Sequence, residues 1–292
     1  MSEALAPAAR TSQVDGWRSF AGRALAHKGF VIGGVVALVA FLAAAFGPLF
    51  LATDPLQINV RARFHPPSAE FLFGTDHYGR DIFARVIHGA RLSILLGLMV
   101  VVATGLLGVL IGAVAGYFRR LDGYLMRVMD ALMAFPSLML AIAIAAALGS
   151  GILNVVIALS IAYAPRTARV VRAAVISVRG QEYVEAARLA GVSHARILWR
   201  HILPNSMAPL IVDLTFVFAY AILADAALSF LGVGPPPPTP SWGNIIAEGR
   251  DYVVEAPWIT AFPGLVIAFT VLGLNLLGDG LRDVLDPRLK ST

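Results

Sequence analysis

The sequence contains no cysteine, few charged residues and only two lysines. The absence of cysteine excludes disulfides, thiolate metal sites and thiol nucleophiles. Charged residues make up 14% of the chain, well below the roughly 25% that is usual for soluble globular domains. Together with a hydrophobic content of 58%, this composition indicates a protein of the lipid bilayer.

The scarcity of lysine excludes one route to ATP hydrolysis. A phosphate-binding P-loop needs a lysine directly after a glycine, where backbone amides and the ammonium group hold the phosphates. Lys28 and Lys290 follow His27 and Leu289 instead. We therefore expect no cofactor and no catalytic residue in this chain, and any energy from ATP must arrive through a partner.

Signatures of other site chemistry are also missing. The histidines never form the HExxH zinc motif, and Ser93 has no GxSxG elbow around it. His77 and His88, with Asp76 and Asp81, give a weak indication of a metal site in a loop. Ordinary loop polarity explains these four residues better, so we predict no metal site.

Six apolar segments are candidates for membrane-spanning helices. The first has 22 residues without charge, and at about 1.5 Å per residue it covers the roughly 30 Å hydrocarbon core. Its length favours a retained anchor over a signal peptide. Such long runs predict an all-α fold and argue against a β-barrel. The segments are residues 31–52, 92–118, 131–148, 152–171, 208–231 and 259–277.

The distribution of positive charge predicts how these helices are oriented. If the N-terminus is cytoplasmic, 17 of the 23 Lys and Arg residues lie on the cytoplasmic side and 6 on the other. Cytoplasmic loops carry the excess of Lys and Arg, so we predict that both termini are cytoplasmic. The net charge of +5 then reflects membrane orientation, and we expect no nucleic acid partner. Residues 1–30 form either an interfacial helix or a disordered tail.

A polar stretch, EYVEAARLAGVSHARILWRHILPN (Glu182–Asn205), separates the fourth and fifth apolar segments. Ala186 and Ala187 give its first helix a face with little side-chain bulk, which another surface could approach closely. Gly191 ends that helix and Ser193 can cap the next. The pattern predicts a helix, a turn and a helix, acting either as an ordinary connector or as a lever that docks in a groove of another protein.

This stretch resembles the EAA loop of the membrane subunits of bacterial ABC importers. In that pattern EAA is followed by three residues, Gly, nine residues, Ile, one residue and Leu-Pro, and His201 stands here in place of Ile. The resemblance implies that this loop carries a coupling helix, which enters a groove on an ATPase. The coupling residues that we predict are Glu185, Ala186, Ala187, Gly191, Val192, Ser193, Leu203 and Pro204.

Four further stretches resemble the C-type permease subunit of dipeptide and oligopeptide importers, a family that also moves nickel and glutathione. They are FGTDHYGRDIFARVIHGARLSILLG (residues 73–97), LSFLGVGPPPPTPSWG (228–243), APWITAFPG (256–264) and NLLGDGLRDVLDPR (275–288). The similarity extends from about residue 28 to the C-terminus. It leaves open whether the solute is a dipeptide, a longer peptide, a metal chelate or glutathione.

The resemblance implies a type I importer core of five helices preceded by one extra helix. It divides the chain into a cytoplasmic tail (1–30), a first helix and outer loop (31–88), a core (89–279) with its coupling loop (172–207), and a C-terminal tail (280–292). It also implies that the chain lies in the inner membrane of a bacterium and that it has four kinds of partner. These are a B-type permease, two cytoplasmic ABC ATPases that hold ATP and Mg²⁺, an extracytoplasmic substrate-binding protein, and the lipid bilayer.

Two aspartates lie in the fifth apolar segment, where lipid-facing charges are costly. Asp213 fits a position near the inner interface, whereas Asp225 is deeper and is the better candidate for the translocation path or a subunit interface. A rival hypothesis, an ion-coupled secondary transporter or channel without ATPases, would use both for ion coupling. Near the second segment, Arg80 and Arg85 are expected on the polar face of an interfacial helix.

Overall fold

The computed structural model describes residues 22–51 and 53–285, and within this part the chain is helical without a β-strand. Residues 1–21 of the predicted N-terminal helix or tail (1–30) lie outside the described residues, whereas residues 22–26 are helical. The main helices are α1 (Lys28–Phe50), α2 (Ile82–Tyr117), α3 (Arg119–Met133), α4 (Ser137–Leu148), α5 (Ile152–Arg179), α6 (Glu182–Leu189), α7 (His194–Ile197), α8 (Met207–Phe230), α9 (Trp242–Gly249) and α10 (Trp258–Leu285). A π-helical turn (Leu198–Ile202) extends α7, and 3₁₀ turns lie at Val60–Ala62, Pro204–Ser206 and Arg250–Tyr252.

Among the described residues, four helices are long and apolar enough to cross a membrane, namely α1, α2, α8 with the turn before it, and α10. The pair α3 and α4 would add a fifth span, but a bend of 87° separates the two helices. The helix α5 is not among the apolar spans, in keeping with its arginines. The all-α fold is therefore confirmed, whereas the predicted number of six spans is not.

The predicted third segment, residues 131–148, is not one straight helix. Its first residues belong to α3, and the chain breaks at Pro136, which cannot continue a helix because its ring removes a donor and clashes with the preceding turn. The following helix, α4, has 12 residues and therefore a length of about 18 Å. That is too short for the roughly 30 Å hydrocarbon core.

The longest helix, α2, has 36 residues and packs along α5. Gly108 and Gly112 face α5, where an added Cβ atom would collide with Thr167 and Ala168. Glycines at this spacing allow two backbones to approach closely, as is common between membrane helices. Because α2 is about 54 Å long, it connects two distant ends of the molecule.

A cap, formed by residues 53–81 and 232–257, covers the N-terminal end of α2. Trp242 of α9 is 2% exposed, and its backbone N–H donates to Ser93 Oγ over 3.0 Å. Its indole N–H donates to the Val86 carbonyl, also over 3.0 Å. The expected interfacial helix is the first part of α2, which runs without a break through the predicted domain boundary at residues 88 and 89.

Candidate coupling segment and translocation face

The helix-turn-helix segment, residues 182–206, lies against the C-terminal ends of α2 and α5. Tyr117 Oη, in the last turn of α2, is 2.7 Å from His194 Nδ1 in α7. The segment also buries apolar side chains against both long helices. Burial of one such side chain contributes about 1.5–3 kcal/mol, so the segment is fixed to α2 and α5. The buried side chains that pack together at this contact include Val184, Ile197, Ile202, Leu203, Tyr117, Val171 and Val175.

The opposite side of the segment is uncovered. Glu185 and Ala186 are exposed, and Leu189 is 90% exposed. Ala187 is half-buried because it packs against the apolar cluster, and Val192 does the same. The face of little side-chain bulk that the sequence predicts is therefore present at residue 186 and only partly open at residue 187.

The turn between α6 and α7 requires glycine for a conformational reason. Gly191 has a φ of +73°, a left-handed backbone conformation that favours glycine. The Gly191 N–H donates to the Arg188 carbonyl and the Val192 N–H to the Ala187 carbonyl, each over 3.1 Å, which is the hydrogen-bond pattern of a Schellman turn. An added Cβ atom at Gly191 would meet nothing within 4 Å. Ser193 occupies the cap position of α7, but its side chain makes no capping hydrogen bond.

A polar cluster joins α5 to α8 within the helix bundle. Asp213 is 4% exposed, and its Oδ2 accepts a hydrogen bond from Thr167 Oγ1 over 2.7 Å. Its Oδ1 lies 3.2 Å from Arg166 Nε, and the Arg166 side chain is 54% exposed. Asp213 therefore fixes a positive charge on an open face of the bundle, a pairing that sequence reasoning missed.

Asp225 has a different environment in the same helix. It is 1% exposed, and its Oδ1 has no hydrogen-bond partner among the described residues. The adjacent residue Ala224 packs in an apolar cluster with Leu228 and Val100. The structure thus places Asp213, rather than Asp225, at a cavity wall. Whether either residue lines a translocation path or a subunit interface stays a prediction.

The cap contains a buried network of charges that the sequence did not predict. Arg85 is 0% exposed, so the expectation that it lies on an exposed polar face is wrong. Its Nη1 lies 2.9 Å from Asp76 Oδ2 and 2.9 Å from Glu248 Oε2. Arg80 Nε also donates to Asp76 Oδ2, over 2.6 Å. Four charges thus tie the first cap loop, α2 and α9 together.

The titratable groups of the cap respond to this arrangement. Burial of Glu248 acts to raise its pKa, but hydrogen bonds and charges of Arg85 and Arg80 outweigh it and hold the pKa below its usual value. Burial lowers the pKa of His77, whose ring stacks near Tyr252 at a centroid distance of 4.9 Å. Among the described residues, no group of three His, Asp or Glu side chains is arranged to hold a metal ion.

Comparison with known proteins identifies the family. Residues 106–291 match the family model described as the binding-protein-dependent transport system inner membrane component. Residues 16–67 match the N-terminal TM domain of oligopeptide transport permease C. Together these two matches cover most of the chain.

Related sequences agree with these matches. A Brucella abortus protein assigned as a peptide transport system permease is 57% identical over 268 residues, which are 92% of this chain and 90% of that protein. The dipeptide transport system permease protein DppC of Alkalihalophilus pseudofirmus is 43% identical over 286 residues, covering 98% of this chain and 94% of DppC. The di/tripeptide transport system permease protein DppC of Pseudomonas aeruginosa is 46% identical over 283 residues, covering 94% and 92%.

The fold is shared with a solved ABC transporter. A chain of the MetNI methionine ABC transporter, in an inward-facing conformation, superimposes with a TM-score of 0.57 at 16% sequence identity. The match covers 69% of this chain and 97% of that chain, and it shows the type I ABC permease fold. The chain therefore belongs to the family of binding-protein-dependent transport system inner membrane components and is a multi-pass permease subunit of an ABC importer.

Proposed function

We propose that this permease forms half of the path by which an ATP-driven importer carries dipeptides or related peptides across the inner membrane. Its relatives are named for the transport of peptides, dipeptides and tripeptides. Its partners are a B-type permease that forms the other half of the path, two cytoplasmic ABC ATPases and an extracytoplasmic substrate-binding protein. ATP and Mg²⁺ bind to the ATPases, and this chain holds no cofactor.

The helix-turn-helix segment carries this proposal. It is anchored through buried apolar side chains on one side and is open at Glu185, Ala186 and Leu189 on the other. A surface of this shape suits a groove in an ATPase, with Gly191, Val192 and Ser193 holding the turn beside the contact. Leu203 and Pro204 connect the segment to α8 and pass its displacement to that helix.

Transport in this proposal occurs by alternating access. ATP binding closes the two ATPases, and their grooves pull the two coupling segments of the permease pair together. Because the segment of this chain is fixed to the ends of α2 and α5, these long helices tilt and open the path toward the binding protein. ATP hydrolysis and product release return the path to the cytoplasmic side. The orientation required is the one that the charge distribution predicts, with cytoplasmic termini.

The proposal is tested by uptake of a labelled dipeptide into proteoliposomes that contain the two permeases and the binding protein. We expect uptake only when both ATPases and ATP are present, and we expect the ATPases to co-purify with the permeases in mild detergent. Full uptake without ATPases, driven by an ion gradient, would contradict the proposal and support the rival secondary transporter. Uptake of a nickel chelate or glutathione without dipeptide uptake would overturn the peptide assignment alone.

A further inference from the structure

Arg166 lies outside the helix-turn-helix segment, so a contact with an ATPase does not explain why its side chain is exposed. Arg166 lies in α5, between two apolar parts of the chain, and is 54% exposed. A guanidinium group that faces lipid is unfavourable, so charged residues within a membrane bundle face water, protein or substrate. The exposed side of Arg166 therefore belongs to a wet path or to an interface.

Buried side chains fix the position of Arg166. The buried Asp213 carboxylate binds Arg166 Nε at 3.2 Å, and Thr167 Oγ1 holds the other carboxylate oxygen at 2.7 Å. Within the described part of the chain, neither Nη group of Arg166 makes a hydrogen bond. The two Nη groups are the pair of parallel donors that a carboxylate accepts in a bidentate contact.

Two cavities meet at this arginine. One, of about 730 Å³, lies between the α3–α4 bend and α8, and its wall includes Tyr163, Arg166 and Tyr220. The other, of about 580 Å³, continues past Asp213 to Arg282 in the last part of α10. The Arg166 guanidinium carbon is 5.9 Å from the centre of the Tyr220 ring. A charged donor beside two aromatic rings, in a cavity of the size used for small ligands, is typical of a binding site for a small amphipathic molecule.

We propose that Arg166 binds the C-terminal carboxylate of a peptide as the peptide passes through the permease. Tyr163 and Tyr220 form the adjacent wall, which contacts peptide side chains without selecting among them strongly. Asp213 and Thr167 are positioning residues, because the buried Asp213 carboxylate holds the Arg166 side chain and Thr167 in turn orients that carboxylate. This inference rests on the proposed import of peptides, and the second permease closes the other side of the site.

The first test compares a dipeptide with its C-terminal amide in proteoliposomes of the complete complex. Arg166→Gln should reduce uptake of the free acid by about tenfold or more, as expected for loss of a charge-assisted contact, and should leave uptake of the amide unchanged. The same binding protein serves wild type and variant, so a change in the ratio of acid to amide reports on the permease. An equal reduction for both peptides would overturn the carboxylate assignment.

The second test restores the charge chemically. Since the chain has no cysteine, Arg166→Cys places one thiol on this permease. Aminoethyl methanethiosulfonate converts that thiol to a mixed disulfide and releases methanesulfinate. The aminoethyl group that stays on the protein returns a positive charge to the site. We expect this reagent to recover most of the lost uptake, and sulfonatoethyl methanethiosulfonate, which adds a negative charge, to recover none. The wild-type complex treated in the same way controls for cysteines in the partners.

The same reagents test which way residue 166 faces. Ile157→Cys is the matched control, because Ile157 is also exposed in α5 (46%) and nine residues away it lies on the opposite side of the helix. The thiol at position 166 should react faster than the thiol at 157, and the dipeptide should protect it. A thiol at 166 that does not react, or recovery of uptake by both reagents alike, would overturn the inference. No ATP-dependent dipeptide uptake by the wild-type complex would instead overturn the proposed function.

Discussion

The two ends of α2 are held by different kinds of interaction. At its N-terminal end, Arg85 and the cap form a buried network of charges with Asp76 and Glu248. At its C-terminal end, Tyr117 packs with the apolar side chains of the helix-turn-helix segment, whose other face stays open. The network pairs the charged groups of Arg80, Arg85, Asp76 and Glu248 with one another, whereas the apolar contact leaves the other face of the segment exposed. We infer that the cap holds its own shape and that the segment serves a partner.

The largest effect should come from breaking the network in the cap. Arg85→Met removes positive charge that compensates the Asp76 and Glu248 carboxylates. Removing one partner of a buried ion pair costs about 3–5 kcal/mol. We expect little folded permease in membranes and a lower unfolding temperature in detergent. Arg91→Ala, an exposed arginine of the same helix, should change the free energy of unfolding by no more than about 0.5 kcal/mol. Normal stability of Arg85→Met would show that the network does not hold the cap.

The helix-turn-helix segment should separate stability from partner binding. Ile197→Ala opens a cavity in the apolar anchor and should destabilise the permease by about 3 kcal/mol, within the range for buried aliphatic side chains. Leu189→Ala, at a side chain that is 90% exposed, should leave the unfolding temperature unchanged and weaken co-purification of the ATPases. If Leu189→Ala left both quantities unchanged, the open face would not be the ATPase contact.

The two aspartates of α8 lie in the region between the two ends of α2. Asp213→Asn removes the negative charge that holds Arg166, so the guanidinium group is no longer fixed in position and uptake should fall while the complex still assembles. Asp225 has no charged partner among the described residues, so Asp225→Asn should have the smaller effect. The two variants are compared by dipeptide uptake per assembled complex. A larger loss of uptake with Asp225→Asn would instead favour Asp225 as the functional aspartate, as predicted from the sequence.

The smallest expected effect is a dependence of cap stability on pH. The folded-state pKa of Glu248 is below its usual value, so its contribution to stability is complete above about pH 4.3 and is lost as the pH falls through the lower, folded value. Unfolding temperatures in detergent between neutral and acidic pH should show this loss in wild type but not in Glu248→Gln. The control is Glu255→Gln, at an exposed residue of the cap, which should retain the wild-type pH dependence.

The sequence predicts the elements whose signals are local. Hydrophobic runs place α1, α8 and α10 to within a few residues, except that α10 continues about eight residues past the predicted end of its span. Gly191 and the helices around it follow from turn and propensity rules. The break at Pro136 and its 87° angle are not part of the predicted segment 131–148, because the apolar run continues through the proline. The resemblance to the EAA loop adds the proposed coupling role of the segment, which no physical rule on a connector of this size supplies.

Contacts between distant residues could not be predicted in this way. Arg85 alternates with apolar residues like a surface residue, and its burial depends on Glu248, which is 163 positions away. The Arg166 and Asp213 pair likewise depends on how α5 meets α8. An arginine and an aspartate in separate apolar segments are a usable signal for such a pair, because each is costly alone in a membrane.

The most direct measurement compares Gly191→Asp with Gly232→Asp for ATP-dependent dipeptide uptake by the complete complex. Gly191 and Gly232 each follow a helix with a positive φ, +73° and +81°, and an added Cβ meets nothing within 4 Å at either position. Both changes therefore impose the same strain and the same charge, one within the helix-turn-helix segment and one in the cap. We predict that uptake collapses with Gly191→Asp while the permease still reaches the membrane, and that Gly232→Asp retains most of it. Equal uptake by the two variants would contradict the coupling role of the segment.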